Sequence, residues 1–262
     1  MNLEILHDKD IILNFLRKNP GLNIYPIGDL DDFFWPNTIW FALSDVNTIL
    51  SIALLYAGQT VPTLLSFFEK ESLLTRQLLE RISYILPVKF NVHLSPGLID
   101  LFGRHNIIED YGVSYKMILN KVVPEADDSN INLLAVNDLS VIKEFYAESY
   151  PQNWFDSRML ETNKYYGYYI NNKLVGVSGI HVFSEKYKVA ALGNIAVHPD
   201  YRGQTIGYKL TSLLCFDLQK CVDIIGLNVQ ADNDYAIRCY KKIGFEIIGT
   251  YDECCIKNGF QQ

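Results

Sequence analysis

The chain has 262 residues, 49% of them hydrophobic and 20% charged, which is the balance of a globular protein with a full core in one large domain or two ordinary ones. Its 23 Lys and Arg against 30 Asp and Glu leave a net charge of −7, and with no basic tract it is a poor match for nucleic acid or an anionic membrane. MNLEILHDKD carries no secretory leader pattern, and the longest apolar run, Ile49 to Ala57, falls well short of the ~20 residues that cross a bilayer. Cys215, Cys221, Cys239, Cys254 and Cys255 show no metal-ligand spacing. An odd number of cysteines without a leader points to a reducing cytoplasm and to no metal.

In chain order, a helix is expected from Asp8 to Lys18, ended by Asn19-Pro20-Gly21. An irregular aromatic and acidic stretch follows from Tyr25 to Trp40; its aromatics are expected to pack inward and its aspartates to face water. Strands are expected at Trp40–Leu43, Ile49–Tyr56 and Val61–Phe67, and a helix at Glu71–Leu86 with Leu74, Leu78, Leu79, Ile82 and Ile85 on one face. Then come a strand at Lys89–Leu94, a short helix at Pro96–Phe102 and a strand at Val113–Leu119. The polar, proline-containing segment Lys121–Asn130 reads as a linker. Beyond it lie a strand at Asn132–Val136, a helix from Asp138 through Tyr146 and a long segment to Asn163. Tyr165–Ile170 and Leu174–Phe183 form a hairpin across Asn171-Asn172. A strand at Lys188–Val197 then leads into the turn Arg202-Gly203-Gln204-Thr205-Ile206-Gly207, followed by a helix to Lys220, a strand at Ile224–Gln230 and a helix from Asn233 to Ile243.

The turn is the first chemical signal. Where a strand hands over to a helix, successive backbone N–H groups and the positive end of the helix dipole make a seat for phosphate. Glycines let the backbone approach an anion closely, and Arg202 adds a fixed charge. The second signal is spacing. Ile195-Ala196-Val197-His198-Pro199 precedes the turn, and Asn233, Ala236, Tyr240, Gly244 and Phe245 follow about 30 residues on. Together these residues resemble the GNAT superfamily of N-acetyltransferases. One departure stands out: Thr205 occupies the place where the family usually has the first glycine of its pair, and a positive φ there would cost a side chain about 1–2 kcal/mol.

The resemblance implies an α/β (α+β) fold, with a mixed, mostly antiparallel sheet, flanking helices and a splayed central strand pair. The two halves of the chain share an element order, so a tandem of two GNAT-like domains is expected: residues 1–121 as a degenerate copy and residues 131–262 as the catalytic one. This order is also similar to that of glycine N-acyltransferase-like and mycothiol-synthase-like proteins. The first copy has Phe68-Glu69-Lys70-Glu71-Ser72 where the second has its glycines, and two glutamates there would repel a pyrophosphate.

The resemblance further implies acetyl-CoA as co-substrate, held by Ile195, Ala196 and Val197 along the pantetheine arm, by Arg202 through Gly207 at the pyrophosphate, and by Asn233 and Tyr240. Tyr240 would protonate the leaving thiolate, and on its own would read as a core tyrosine packed on Phe245. Many relatives carry a base glutamate where this chain has Gly193 and Asn194, or Asn228. Asn194 and Asn228 could order a relaying water, and His198 or His181 could serve as base. The expected acceptor is a primary amine of a small molecule or amino acid, with Trp154, Phe155, Tyr165, Tyr166, Tyr168 and Tyr169 suggesting an apolar wall. A protein N-terminus or lysine is the alternative, and a silent acyl-CoA-binding module the third reading. A monomer or homodimer is expected.

Overall fold

The computed structural model describes residues 1–46, 48–68, 72–125 and 128–259. The first half supplies β1 (Asn2–Leu6), α1 (Lys9–Leu16), α2 (Ile24–Gly28), β2 (Thr38–Asp45), β3 (Thr48–Tyr56), β4 (Thr63–Ser66), α3 (Ser72–Ile82), β5 (Lys89–Leu94) and β6 (Ile107–Leu119). The second supplies β7 (Ile131–Leu133), α4 (Leu139–Ser149), β8 (Tyr166–Ile170), β9 (Lys173–Ser184), β10 (Val189–Val197), α5 (Ile206–Leu218), β11 (Ile224–Gln230), α6 (Asp234–Ile243) and β12 (Phe245–Lys257). Two compact units result. One comprises Met1–Lys116, Gln230–Asp232 and the chain from Ile248 on; the other comprises Met117–Val229 and Asn233–Ile247.

In the first unit, Asp8 opens α1 by accepting from the backbone N–H groups of Asp10 and Ile11 at 2.9 and 3.1 Å. β1 through β4 pair antiparallel in order, and β4 pairs parallel with β5 from Thr63↔Asn91 to Ser66↔Leu94. Leu78, Leu79 and Ile82 of α3 lie fully buried against this sheet with Leu74 partly buried beside them, as their spacing predicts, but Ile85 falls in a tighter turn past the end of the helix and is exposed. β1 escaped the sequence reading because it is only five residues long; Asn2, Leu3, Glu4 and Ile5 alternate polar and apolar, yet all four are exposed. α2 escaped it because five residues carry too little periodicity. The last strand of the unit comes from the far end of the chain: β12 pairs antiparallel with β5 from Asp252↔Leu94 to Lys257↔Lys89 and buries Tyr251, Cys254, Cys255 and Ile256. The first unit is therefore not continuous in sequence.

Two ionisable groups of this unit are buried, and one of them, Asp29, runs against the expectation that the aspartates of the Tyr25–Trp40 stretch face water, as Asp32 does. Asp29, at the end of α2, has its carboxyl pushed up to about 8 by desolvation. Lys116 lies over the rings of Phe67, Tyr251 and Tyr25 at 3.7, 5.1 and 5.4 Å. Desolvation lowers its ammonium to about 7, against the opposing pull of Glu253. Glu253 is also desolvated, but His93, Ser114 and Tyr251 more than compensate and hold it below its ordinary range. The His93 Nε2 is 3.2 Å from Glu253 Oε1 but off the line of a hydrogen bond.

The second unit orders its strands β11-β10-β9-β8-β7. Asn171 and Asn172 both take positive φ, 49° and 63°, and so make the tight β8–β9 turn that the dipeptide predicts.

Lys116 ties stability to pH. Its folded pKa near 7 lies below the unfolded value of about 10.4, so the folded state loses stability as pH falls from about 10 to 7 and changes little from this group below that. Lys116→Met should raise the urea midpoint at pH 7 more than at pH 10. An equal midpoint shift at both pH values would contradict a neutral buried amine.

Candidate active site

β10 and β11 pair in parallel only from Val189↔Ile224 to Leu192↔Leu227. Beyond Leu192 the two strands part. On its other side β10 stays bound to β9, with Gly193↔Gly179 followed by Ala196↔Val177, so one residue of β10 is extra. That bulge falls at Asn194, whose φ is +54°. Residues 189–192 are buried, whereas Ile195, Ala196 and Val197 are half-exposed along the edge that faces no partner strand. The corresponding parallel pair of the first unit does not part. There Ser95 N donates to Ser66 O at 3.2 Å, and Phe68 N donates to Ser95 Oγ at 3.0 Å, which closes the gap. Glu69, Lys70 and Glu71 lie outside the described residues.

At the end of β10 the chain turns through Pro199–Tyr201 into the six-residue turn before α5. Gly203 has φ +79°, and Thr205, the residue that caps α5, has φ +61°. Thr205 thus takes the left-handed conformation that costs its side chain energy, while its carbonyl accepts from Lys209 N at 3.0 Å. The backbone N–H groups from Gly203 to Gly207 donate to no acceptor among the described residues. Residues 202–205 are exposed, and Ile206 is buried as the anchor of the turn. A methyl group at Gly207 would meet only Val197 Cγ2, at 3.5 Å, so the space in front of the turn is open. Arg202 Nε donates back to Val197 O at 3.2 Å, which fixes the guanidinium beside the turn. Five free N–H groups, a helix dipole and a fixed cation suit a pyrophosphate.

Tyr240 and Asn233 share a face of α6. Asn233 Oδ1 accepts from Ala236 N at 3.1 Å and caps the helix. Tyr240 is 9% exposed and packs edge-on against Phe245 with centroids 6.0 Å apart. Its hydroxyl meets no hydrogen-bond partner among the described residues. Burial, with smaller contributions from Cys239, Tyr150 and Cys215, pushes the phenol above its ordinary range, so it stays protonated through neutral pH. Asn228, on β11 just past the parting, is half-buried. His198 is committed to its corner: its N donates to Val175 O at 2.9 Å, its Nδ1 accepts from Asp200 N at 3.3 Å, and its ring stands edge-on to Tyr201. Its Nε2 is 3.6 Å from Glu148 Oε2.

Asn194 is fully engaged. Its Oδ1 accepts from Trp154 N at 3.1 Å, and its Nδ2 donates to the Tyr165 hydroxyl at 3.0 Å. Its carbonyl accepts from the Tyr146 hydroxyl at 2.6 Å. The bulge residue thereby holds a wall in which Phe155 packs between Tyr146 and Tyr165, at centroid distances of 5.4 and 5.5 Å. Of the six aromatics expected to form a wall, Phe155 and Tyr165 stack here, whereas Tyr166 and Tyr168 pack with Ile206 and Leu210 of α5. Tyr146, on α4, is not one of the six, because as a helix residue at core spacing it gives no signal of its own.

The "Acetyltransferase (GNAT) family" profile matches residues 133–245, the stretch that holds the parted strands, the turn and α6. A Bacillus subtilis (strain 168) protein, named as a candidate ribosomal protein bS18-alanine N-acetyltransferase, is 30% identical over 134 residues, 48% of this chain and 86% of that protein. The chain belongs to the GNAT acetyltransferase family. An uncharacterised Mycobacterium leprae (strain TN) protein is 34% identical over 110 residues, 38% of this chain but 28% of that longer protein. A solved tandem GNAT protein from the clavulanic acid biosynthesis pathway superposes with a TM-score of 0.57 at 14% identity, covering 98% of this chain and 99% of that one. That likeness is one of fold, and it extends the GNAT architecture over both halves.

The strain at Thr205 is measurable in this GNAT enzyme. Thr205→Gly should stabilise the folded chain by about 1–2 kcal/mol, read as a rise in the denaturation midpoint, with acetyl-CoA affinity equal or tighter. A lower midpoint would contradict the assigned strain.

Proposed function

We propose that the chain transfers an acetyl group from acetyl-CoA, held by the second unit alone, to the primary amine of a small molecule or amino acid. The observation that carries this reading is the parting of β10 from β11 after Leu192 and Leu227, immediately before a turn of free N–H groups. The pantetheine arm then lies against Ile195, Ala196 and Val197. A free N–H there meets the oxyanion, and removing a donor of this kind elsewhere costs on the order of 2.7–4 kcal/mol. Arg202 through Gly207 take the pyrophosphate, and Asn233 adds a contact while capping α6. The first unit, with its equivalent strands bridged by Ser95, is a degenerate copy.

Tyr240 is the acid. Its protonated hydroxyl, with no competing acceptor among the described residues, is free to donate to the leaving thiolate. Asn228 is placed to order a water, whereas the amide of Asn194 is spent on the aromatic wall. The wall of Tyr146, Phe155 and Tyr165 favours an apolar acceptor. A second reading, a protein or peptide N-terminus, is motivated by the name of the Bacillus relative. Thiol release measured with free amino acids and with short peptides beginning in alanine separates the two: turnover with peptides alone would overturn the small-amine reading.

Tyr240→Phe should lower kcat by about 10²–10⁴-fold, with acetyl-CoA affinity little changed because the ring still packs on Phe245. The raised phenol also sets a sign: wild-type kcat should show no alkaline fall from this group until above about pH 10. A Phe variant with unchanged kcat would return Tyr240 to a packing role.

A further inference from the structure

β10 and β11 carry no carboxylate, and the backbone where they part is covered by a ring from the neighbouring strand. Gly193 is the first residue of β10 past the last parallel pair, at the mouth of the parting. A methyl group built on Gly193 would overlap the ring of His181, which therefore lies directly on the backbone there. The cross-strand partner of Gly193 is Gly179, and a methyl group on Gly179 would overlap the ring of Tyr165. Two facing glycines thus make a floor without side chains, on which an imidazole and a phenol lie side by side. Opposite residues of paired strands share a face, so both rings stand on one side of the sheet.

The register of β9 shows how His181 comes to be there. Val182 pairs with Ala191 and Ile180 with Leu192, which leaves His181 as the extra residue of a bulge. Bulges re-aim a side chain and recur beside active sites. A regular β9 would leave no residue to spare at this point. The two bulges, at His181 and at Asn194, bracket the glycine pair, and the second holds the aromatic wall to which Tyr165 belongs.

We infer that His181 is the general base of the reaction, its imidazole lying on Gly193 at the mouth of the parting. This rests on the acetyl-transfer reading above. The acceptor ammonium gives one proton to His181, directly or through a water. The neutral amine then attacks the thioester carbonyl, forming the C–N bond and an oxyanion. Collapse breaks the C–S bond, and the sulfur takes a proton from Tyr240, which is restored by the second proton leaving the nitrogen. The proton held by His181 passes to solvent. Among the described residues near the floor, Tyr165 and Tyr146 are raised by burial and neutral in this range, and Asp156, which acts on the Tyr165 phenol, is paired with Arg158 at 2.6 Å.

The test uses the full chain and the best amine from the panel of amino acids and peptides, with water as acceptor if none turns over. His181→Gln should lower kcat/KM by about 10²–10⁴-fold and remove the acidic limb of its pH profile, while calorimetric acetyl-CoA affinity stays unchanged. Imidazole added to His181→Ala should restore part of the rate. Gly193→Ala, which pushes the ring off the floor, should show the same loss without touching His181. A His181→Gln variant that keeps wild-type kcat/KM and the acidic limb overturns the assignment. Failure of the wild-type chain to bind acetyl-CoA would overturn the transfer reading itself.

Discussion

The part of the chain that matches the GNAT profile depends on two parallel strands that stop pairing. β10 and β11 hold each other through Leu192 and Leu227 and then separate, so a row of backbone groups between Ile195 and Val197 faces no strand. An unpaired strand edge is costly if buried dry and hazardous if left open, because each N–H and C=O there wants a partner. A ligand with amides of its own resolves the cost by pairing as a substitute strand. The bulge at Asn194 is what makes the parting possible without unravelling the other edge: β10 gains one residue, turns away from β11 and remains bound to β9. The side chain of Asn194 then spends both ends of its amide on Trp154 and Tyr165. One residue therefore opens the slot and fixes the wall beside it.

The first unit has a parallel pair of its own that does not part. Its parallel strands continue to Ser66 and Leu94, and a single hydroxyl, that of Ser95, bridges the place where a slot would start. Its interior holds Lys116 in a box of aromatic rings. A cation in that setting gains from the ring faces and loses its hydration shell, and the lowered ammonium says that desolvation wins.

Much of the site was legible from residues alone. The glycines and N–H-rich turn from Arg202 to Gly207, and the spacing from Asn233 to Phe245, are local patterns fixed by the chain itself. The hairpin across Asn171-Asn172 was legible for the same reason. Features set by pairing between distant segments were not. That β12 pairs with β5 in the first unit depends on register between residues more than 150 apart, which no local pattern encodes. The edge strand β1 is short and exposed, and the burial of Asp29 and Lys116 follows from neighbours remote in sequence. His181 was named with His198 as a possible base, and nothing local favoured one over the other, because a one-residue bulge is visible only when both strands are aligned.

The most direct test of this account is calorimetric titration of acetyl-CoA into the full chain and into a folded Gly207→Glu variant. The substitution puts a carboxylate at the open mouth of the phosphate turn, where only Val197 is near. One molecule bound per wild-type chain and none by the variant is the predicted result. Binding by the variant with wild-type affinity, or two molecules per wild-type chain, would contradict a single coenzyme seat between the parted strands of the second unit.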